Sequence, residues 1–494
     1  FTPSDKVKIG FNLAPNYSSN TNFATDGGPY GSENIISGAL ATTPLASPYN
    51  ADGSLTLTAS DPATFGNPNW LRVAQDKVYR NRTQALLSNA FVEYELIKGL
   101  KAKTTANIQL SNNTIFQFNP STSGVLFTPP PRIPSGSDNA TRMYNWVNEN
   151  SLSYQKEFNG HNLDALVDFT AQRFRSDNTL VTASNYPDDK IQAVSAAGRT
   201  VVTNNVQEWA LLSYLARLNY NYKDKYLFTA SVRRDGSSRF GPNNRWGNFP
   251  SASVGWIISK ERFWQIAPVS FFKVRASYGI TGNFEIGNYT FRSTVGPVYY
   301  AFGNSLFQGR AANNLGDDAL GWERKKQFNL GTDLYFLNDR IQLTYNYYRT
   351  QSSDLLYNVS VPQSSGFSSI QTNIGELTFW GHEIGLNTVN IRNSRLTWNS
   401  TLNLSFDRNR VDKLSTATTN AIYQGMVNYG FYSHVSQVGS PVGLFYGSVW
   451  DGVYRNQQDF DNSPKYADSQ VGTIKFRDLN GDGKVTFPED YTTI

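Results

Sequence analysis

The oxygen-bearing side chains of Arg477-Asp478-Leu479-Asn480-Gly481-Asp482-Gly483-Lys484-Val485-Thr486-Phe487-Pro488-Glu489 stand at calcium-loop spacing. Asp478, Asn480 and Asp482 alternate with other residues, Gly483 allows a sharp turn, Lys484 offers its backbone carbonyl, and Glu489 stands where a bidentate carboxylate would close the shell. The expected ion is Ca2+, held by Asp478, Asn480, Asp482, Lys484 and Glu489. Asn-Gly and Asp-Gly pairs also make tight turns without an ion, and no flanking EF-hand helices are legible. Such a site would pin a loop rather than sense calcium. The carboxylate pairs Asp188-Asp189 and Asp317-Asp318 are adjacent in loops, where neighbours point apart, so acid–base catalysis is not expected of them. His161, His382 and His434 lie far apart and cysteine is absent, which leaves little from which to build a zinc site, a triad or a thiol nucleophile. No catalytic residue is assigned, and the chain reads as a non-enzyme. The loop aromatics Tyr299, Tyr300, Phe302, Tyr429, Phe431 and Tyr432 could stack on a sugar or a peptide side chain, or equally pack on a partner protein.

The elements that must carry these loops alternate with period two. In 341–347 and 396–406 one face is mostly apolar or aromatic and the other is Gln, Thr, Asn and Ser. The same pattern recurs in 102–110, 163–171, 212–220, 228–232 and 328–336. About thirteen such strands are expected, mostly about ten residues long, the length for crossing a bilayer at a tilt. No apolar run is long enough for a membrane-spanning helix, but a barrel needs only alternate residues apolar. The 28 Tyr, 31 Phe and 10 Trp, accompanied by abundant Asn, Ser and Thr, suit such a wall with a wet interior. Lys and Arg total 44 against 39 Asp and Glu, scattered without a basic block, so no nucleic-acid partner is expected.

Connections alternate in length. Short turns are expected at 98–100, 158–162, 223–225, 337–340 and 391–394, and long ones at about 113–145, 175–206, 235–248, 281–324 and 352–377. One tight rim and one bulky rim is the asymmetry of an outer-membrane barrel. The strand ending near Phe406 then points toward the bulky side, which makes 407–494, with the calcium-like loop at 478–489, an expected extracellular region. A large soluble all-β protein is the alternative, but it gives no reason for paired loop lengths.

Four ordered motifs carry a resemblance. They are Arg233-Arg234-Asp235-Gly236-Ser237-Ser238-Arg239-Phe240-Gly241 with Arg245-Trp246-Gly247-Asn248-Phe249-Pro250-Ser251-Ala252-Ser253-Val254-Gly255-Trp256; Leu320-Gly321-Trp322-Glu323-Arg324 with Phe328-Asn329-Leu330-Gly331; Asn373-Ile374-Gly375-Glu376 with Gly381-His382-Glu383; and Gly439-Ser440-Pro441-Val442-Gly443-Leu444-Phe445-Tyr446-Gly447 with Asp451-Gly452-Val453. Together, and with the Asp-Leu-Asn-Gly-Asp-Gly run after them, they resemble the SusC/RagA type of TonB-dependent outer-membrane transporters from about Ser88 onward.

The resemblance implies an all-β fold, an antiparallel transmembrane β-barrel of about 22 strands with long extracellular loops, of which 1–494 is a part. It implies a plug, a TonB box and the last strands lying beyond this stretch of chain. It further implies import of oligosaccharides or peptides in a Bacteroidetes-like outer membrane, with a SusD-like surface lipoprotein as lid and the TonB-ExbB-ExbD complex as energy source, the barrel embedded in outer-membrane lipid. A scaffold barrel in a larger envelope assembly and a passive porin are the alternative functions.

Overall fold

A computed structural model of the chain describes residues 1–21, 35–59, 67–125, 128–414, 421–427 and 431–493. Thirteen strands hydrogen-bond in sequence order into one antiparallel sheet. They are β1 (Val7–Asn20), β2 (Val78–Ile97), β3 (Leu100–Asn119), β4 (Ser135–Phe158), β5 (His161–Ser184), β6 (Arg199–Tyr222), β7 (Tyr226–Ser237), β8 (Trp246–Ile257), β9 (Val269–Asn283), β10 (Glu323–Phe336), β11 (Ile341–Ser353), β12 (Glu376–Arg392) and β13 (Thr397–Lys413). Every stretch expected to be a strand lies in one of these, except that Leu396 falls just before β13.

The strands are longer than the expected ten residues, reaching 24 in β4, β5 and β6. Apolar alternation marks only the segment able to meet lipid. The backbone ladder continues beyond it, so β13 runs to Lys413, paired with Glu376, instead of ending near Phe406. The long loops are correspondingly shorter than expected, at 120–134, 185–198, 238–245, 284–322 and 354–375. Length alternation also fails once: 258–268 closes the tight rim yet is longer than 238–245 on the other rim. That turn carries Glu261, Phe263 and Trp264, whose contacts need the extra chain.

The chain divides into two compact units, one of residues Phe1–Leu152 and Asp168–Ser213, the other of Ser153–Val167 and Tyr214–Ile494. In the first unit, β1 to β3 pair so that Phe11, Ala90 and Ala106 share one face while Asn12, Asn89 and Asn107 share the other. Asn89 donates to Asn107 at 2.5 Å. Phe118, Ala183 and Tyr186 form a buried cluster there, with the Phe118 and Tyr186 rings edge-to-face at 5.2 Å.

In the second unit the two faces separate cleanly from β7 to β13. Tyr226, Phe228 and Ala230 pair with Trp256, Val254 and Ala252. The apolar rows continue through Val274 and Ala276, Leu330 and Leu334, Leu343 and Tyr345, Ile384 and Leu386, to Leu402 and Leu404. From Phe336 to Phe328 the rows climb about 27 Å along β10, or about 21 Å at a tilt of about 40°, close to the apolar band of a membrane barrel. Stacked rings close the tight-turn end: Tyr222 on Tyr226 at 6.3 Å and Tyr226 on Trp256 at 6.4 Å. Amphipathic aromatics belong at such a boundary, where one end is apolar and the other wet. Glu261 in the 258–268 turn accepts from Tyr226 Oη at 2.7 Å, Trp256 Nε1 at 3.2 Å and Lys225 Nζ at 3.1 Å. These bonds, led by that from Tyr226, hold its carboxyl below the usual range.

Candidate functional site

The polar face of the second unit is laced by side-chain hydrogen bonds between neighbouring strands. Asp164 accepts from Gln155 at 2.8 Å and Asn219 at 3.2 Å, and Asn219 accepts from Thr229 at 3.0 Å. These groups line a cleft of about 610 Å³ with Asn162, Asn221 and Tyr220. Farther along the sheet, Arg275 of β9 donates to Asp333 of β10 at 3.2 Å and to Asn346 of β11. Asn346 in turn donates to Glu383 of β12 at 3.4 Å. The guanidinium fits only because Gly331 lies beneath it, where a Cβ would come within 2.7 Å of Arg275 Cζ. Such a surface can exchange hydrogen bonds with a polar solute.

Three of the four motifs converge at the long-loop end of this face. The Trp322 ring meets Phe240 and Phe249, each at 5.2 Å, and Phe284 at 5.6 Å, while its Nε1 donates to Arg245 O at 2.9 Å. Phe240 and Leu320 are fully buried. Asn373 locks the adjoining loop: it accepts from Gly321 N at 2.6 Å and donates to Gly321 O at 2.9 Å and Asp354 O at 2.8 Å. The fourth motif ties the next region to β13, with Gly439 N donating to Val411 O at 2.8 Å and Val411 N to Ser440 O at 2.9 Å.

Beyond β13, strands Ala421–Val427, Phe431–Gln437, Leu444–Ser448 and Tyr491–Thr493 form a four-stranded sheet. Phe487 packs among Tyr423, Tyr432, Tyr446 and Tyr491 at 5.3 to 6.3 Å. Burial and the neighbouring Tyr423 push the Tyr446 phenol well up. The calcium-like loop leads into this cluster. Asp478 accepts from Gly481 N at 2.5 Å and Gly483 N at 2.7 Å, Asn480 from Asp482 N at 2.9 Å, and Asp482 from Lys484 N at 2.8 Å. Asp478 and Asp482 are joined by the fully buried Asp490, the three offering oxygens within 4.8 Å of one another. Burial raises the Asp490 carboxyl, but backbone donors from Thr486, Leu479 and Asn480 outweigh it and hold it low. Glu489 instead accepts from Thr486 Oγ1 at 3.3 Å.

The other candidates stand apart. Asp189 accepts from Ser121 N at 2.7 Å and Asp188 from Lys190 N at 2.8 Å; Asp317 caps Ala319 N at 2.9 Å and bonds Thr372. These carboxylates brace loops. His161, His382 and His434 bond Tyr220, Tyr345 and Ser433, each without another histidine. Tyr299, Tyr300 and Phe302 sit exposed on a two-stranded hairpin, Thr294–Phe302 with Ser305–Asn314. Tyr429 and the Phe431 side chain lie outside the described residues. Sequence reasoning missed Asp490, one place past the expected ligand, and the Arg275, Asp333 and Asn346 group. Period two puts the latter on the polar face, but which of them meet depends on register.

Residues 10–481 match the family model described as TonB dependent receptor-like, beta-barrel. TonB-dependent receptor P3 of Formosa agariphila is 31% identical over 97% of this chain and 48% of its own length. TonB-dependent receptor SusC of Bacteroides thetaiotaomicron is 33% identical over 57% of this chain and 28% of its own. The chain thus spans about half the length of the curated relatives it matches most fully. The solved structure titled as the RagAB peptide importer in its closed-closed state superposes over 100% of this chain and 53% of its own at a TM-score of 0.81 and 23% identity, a likeness of fold. The family is one of receptors and transporters rather than enzymes. With an antiparallel sheet apolar on one face and hydrogen-bonded on the other, the chain belongs to the TonB-dependent receptor-like β-barrels of the outer membrane, of the SusC/RagA type.

Proposed function

We propose that this chain forms part of the barrel wall of a TonB-dependent importer that carries oligosaccharides or peptides across the outer membrane. A SusD-like surface lipoprotein closes the long-loop side, and the TonB-ExbB-ExbD complex drives transport through a region of the whole protein outside this chain. The observation that carries the reading is the hydrogen-bonded polar face of the second unit, which offers a large solute exchangeable donors and acceptors over seven strands. The relatives' names and the peptide importer of like fold support it. The aromatic cluster around Phe487 supplies ring faces for a sugar or side chain on the extracellular side, to which 407–494 belongs in this reading. In the same reading, Ca2+ binds the 478–490 loop through Asp478, Asn480, Asp482 and the Lys484 carbonyl, with Glu489 or Asp490 completing an all-oxygen set, and pins Phe487.

Native mass spectrometry of the whole protein extracted from outer membranes in mild detergent tests this. The expected result is a one-to-one complex with a surface lipoprotein and a retained glycan or peptide, together with loss of growth on that nutrient when the gene is deleted. Secretion or assembly proteins in the complex and undiminished uptake in the deletion strain would replace import with a scaffold role.

A further inference from the structure

In the second unit cations enter the apolar face at a common height across four adjacent strands, β10 to β13. Leu330, Tyr347, His382 and Phe406 are cross-strand neighbours in one row. The next row toward the long loops is Phe328, Arg349, Trp380 and Arg408, again in register. The row after it is Lys326, Gln351, Thr378 and Arg410. Period two places these cations on the same face as the apolar rows, because each is an even number of residues from Leu330, Tyr347 or Phe406. Arg324 follows on β10, and Arg234 takes the same position on β7, two residues past Val232, with its guanidinium 5.1 Å over the Trp246 ring.

Cations outnumber carboxylates in the band. Against them stand Asp412, which is paired with Arg410 at 2.7 Å, and Glu376, which accepts from Gln351 Nε2 at 3.3 Å. Among the described residues the ion pairs of this unit involve none of Arg324, Lys326, Arg349 and Arg408. Arg324, Arg349 and Arg408 are exposed. Neighbouring strands are about 4.8 Å apart, so Arg349 and Arg408 stand about 10 Å apart across Trp380. Arginine at that spacing can fork onto phosphate oxygens from both sides. A soluble anion would require only the cations. Here apolar rows lie directly below them on the same strands, which fits a molecule whose chains are apolar and whose head is anionic.

We propose that this band is a binding site for a phosphate-bearing lipid of the leaflet on the long-loop side, its acyl chains lying on Leu330, Tyr347, Leu404 and Phe406 and its phosphate held by Lys326, Arg349 and Arg408. The inference requires outer-membrane placement and is independent of the import reading.

The test uses the whole protein, delipidated in mild detergent and titrated with a bis-phosphorylated glycolipid of the lipid A kind, with phosphatidylethanolamine, or with inorganic phosphate. Native mass spectrometry reads the lipid retained, and a thermal scan reads the shift in unfolding temperature. The phosphoglycolipid is expected to be retained and to raise the unfolding temperature, with phosphatidylethanolamine weaker and inorganic phosphate without effect. The K326Q/R349Q/R408Q variant should retain it at least tenfold more weakly, while K326R/R349K/R408K keeps most of the retention. In the unmutated protein, retention should fall as salt rises, a measurement that needs no variant. Equal retention by the glutamine variant, indifference to salt, or an equal shift with inorganic phosphate alone would overturn the site.

Discussion

Substituting Gly282 by alanine probes the cluster that gathers the motifs. A Cβ there would lie 2.2 Å from Phe249 Cζ and 2.9 Å from Trp322 Cε3. Both rings are nearly buried, Phe249 at 7% and Trp322 at 6% exposure, and Phe240 and Phe284 also press on Trp322, so neither ring can swing away. Overpacking of that kind costs about 1–3 kcal/mol. F249A alone should cost about 3–5 kcal/mol, the range for truncating a buried Phe. The double variant G282A/F249A should fall short of the sum by about 1–3 kcal/mol, because removing the ring makes room for the new methyl. Urea unfolding of the whole protein in lipid vesicles, followed by tryptophan fluorescence, measures the cycle. If the two costs add within about 0.5 kcal/mol, the packing argument is wrong.

Arg275→Ala should leave Asp333 without its charged donor and cost about 1–2 kcal/mol in the same unfolding measurement, modest because the pair is partly solvated, with side-chain exposures of 36% and 17%. N373A should free the loop it ties to Gly321 and Asp354, seen as cleavage by added protease within 284–322 or 354–375 several-fold faster than in the unmutated protein. Because the Glu261 carboxyl is depressed in the folded protein, its contribution to stability is full above the unfolded value of about 4.3 and is lost as pH falls through the lower folded value. E261Q should therefore flatten the stability loss on acidification below about pH 4.5, and a profile unchanged from the native one would contradict the tether. Calcium at millimolar concentration should slow proteolysis of 478–490, and D482N should remove that protection, whereas equal cleavage rates with calcium and with chelator would exclude the ion.

Period two in single stretches sufficed to place β3, β5, β6, β7, β10, β11 and β13, because a half-buried or lipid-facing strand must alternate whatever its neighbours are. The tight turns at 98–100, 223–225 and 337–340 and the motif segments were legible for the same reason: turn chemistry and close packing are local demands. Strand ends were not, since β13 extends to Lys413 through a stretch whose one apolar residue, the buried Val411, gives no period-two signal. Nor did the sequence disclose that Asp490, rather than Glu489, joins Asp478 and Asp482, because backbone donors from Leu479, Asn480 and Thr486 draw it inward. Register decided the rest. Arg275, Asp333 and Asn346 are 58 and 71 residues apart along the chain from the arginine, and Lys326, Arg349 and Arg408 lie on separate strands. Each is an ordinary polar residue in its own segment. Only the ladder, which fixes which residues stand side by side at about 5 Å, turns scattered charges into a network on one face and a basic band on the other.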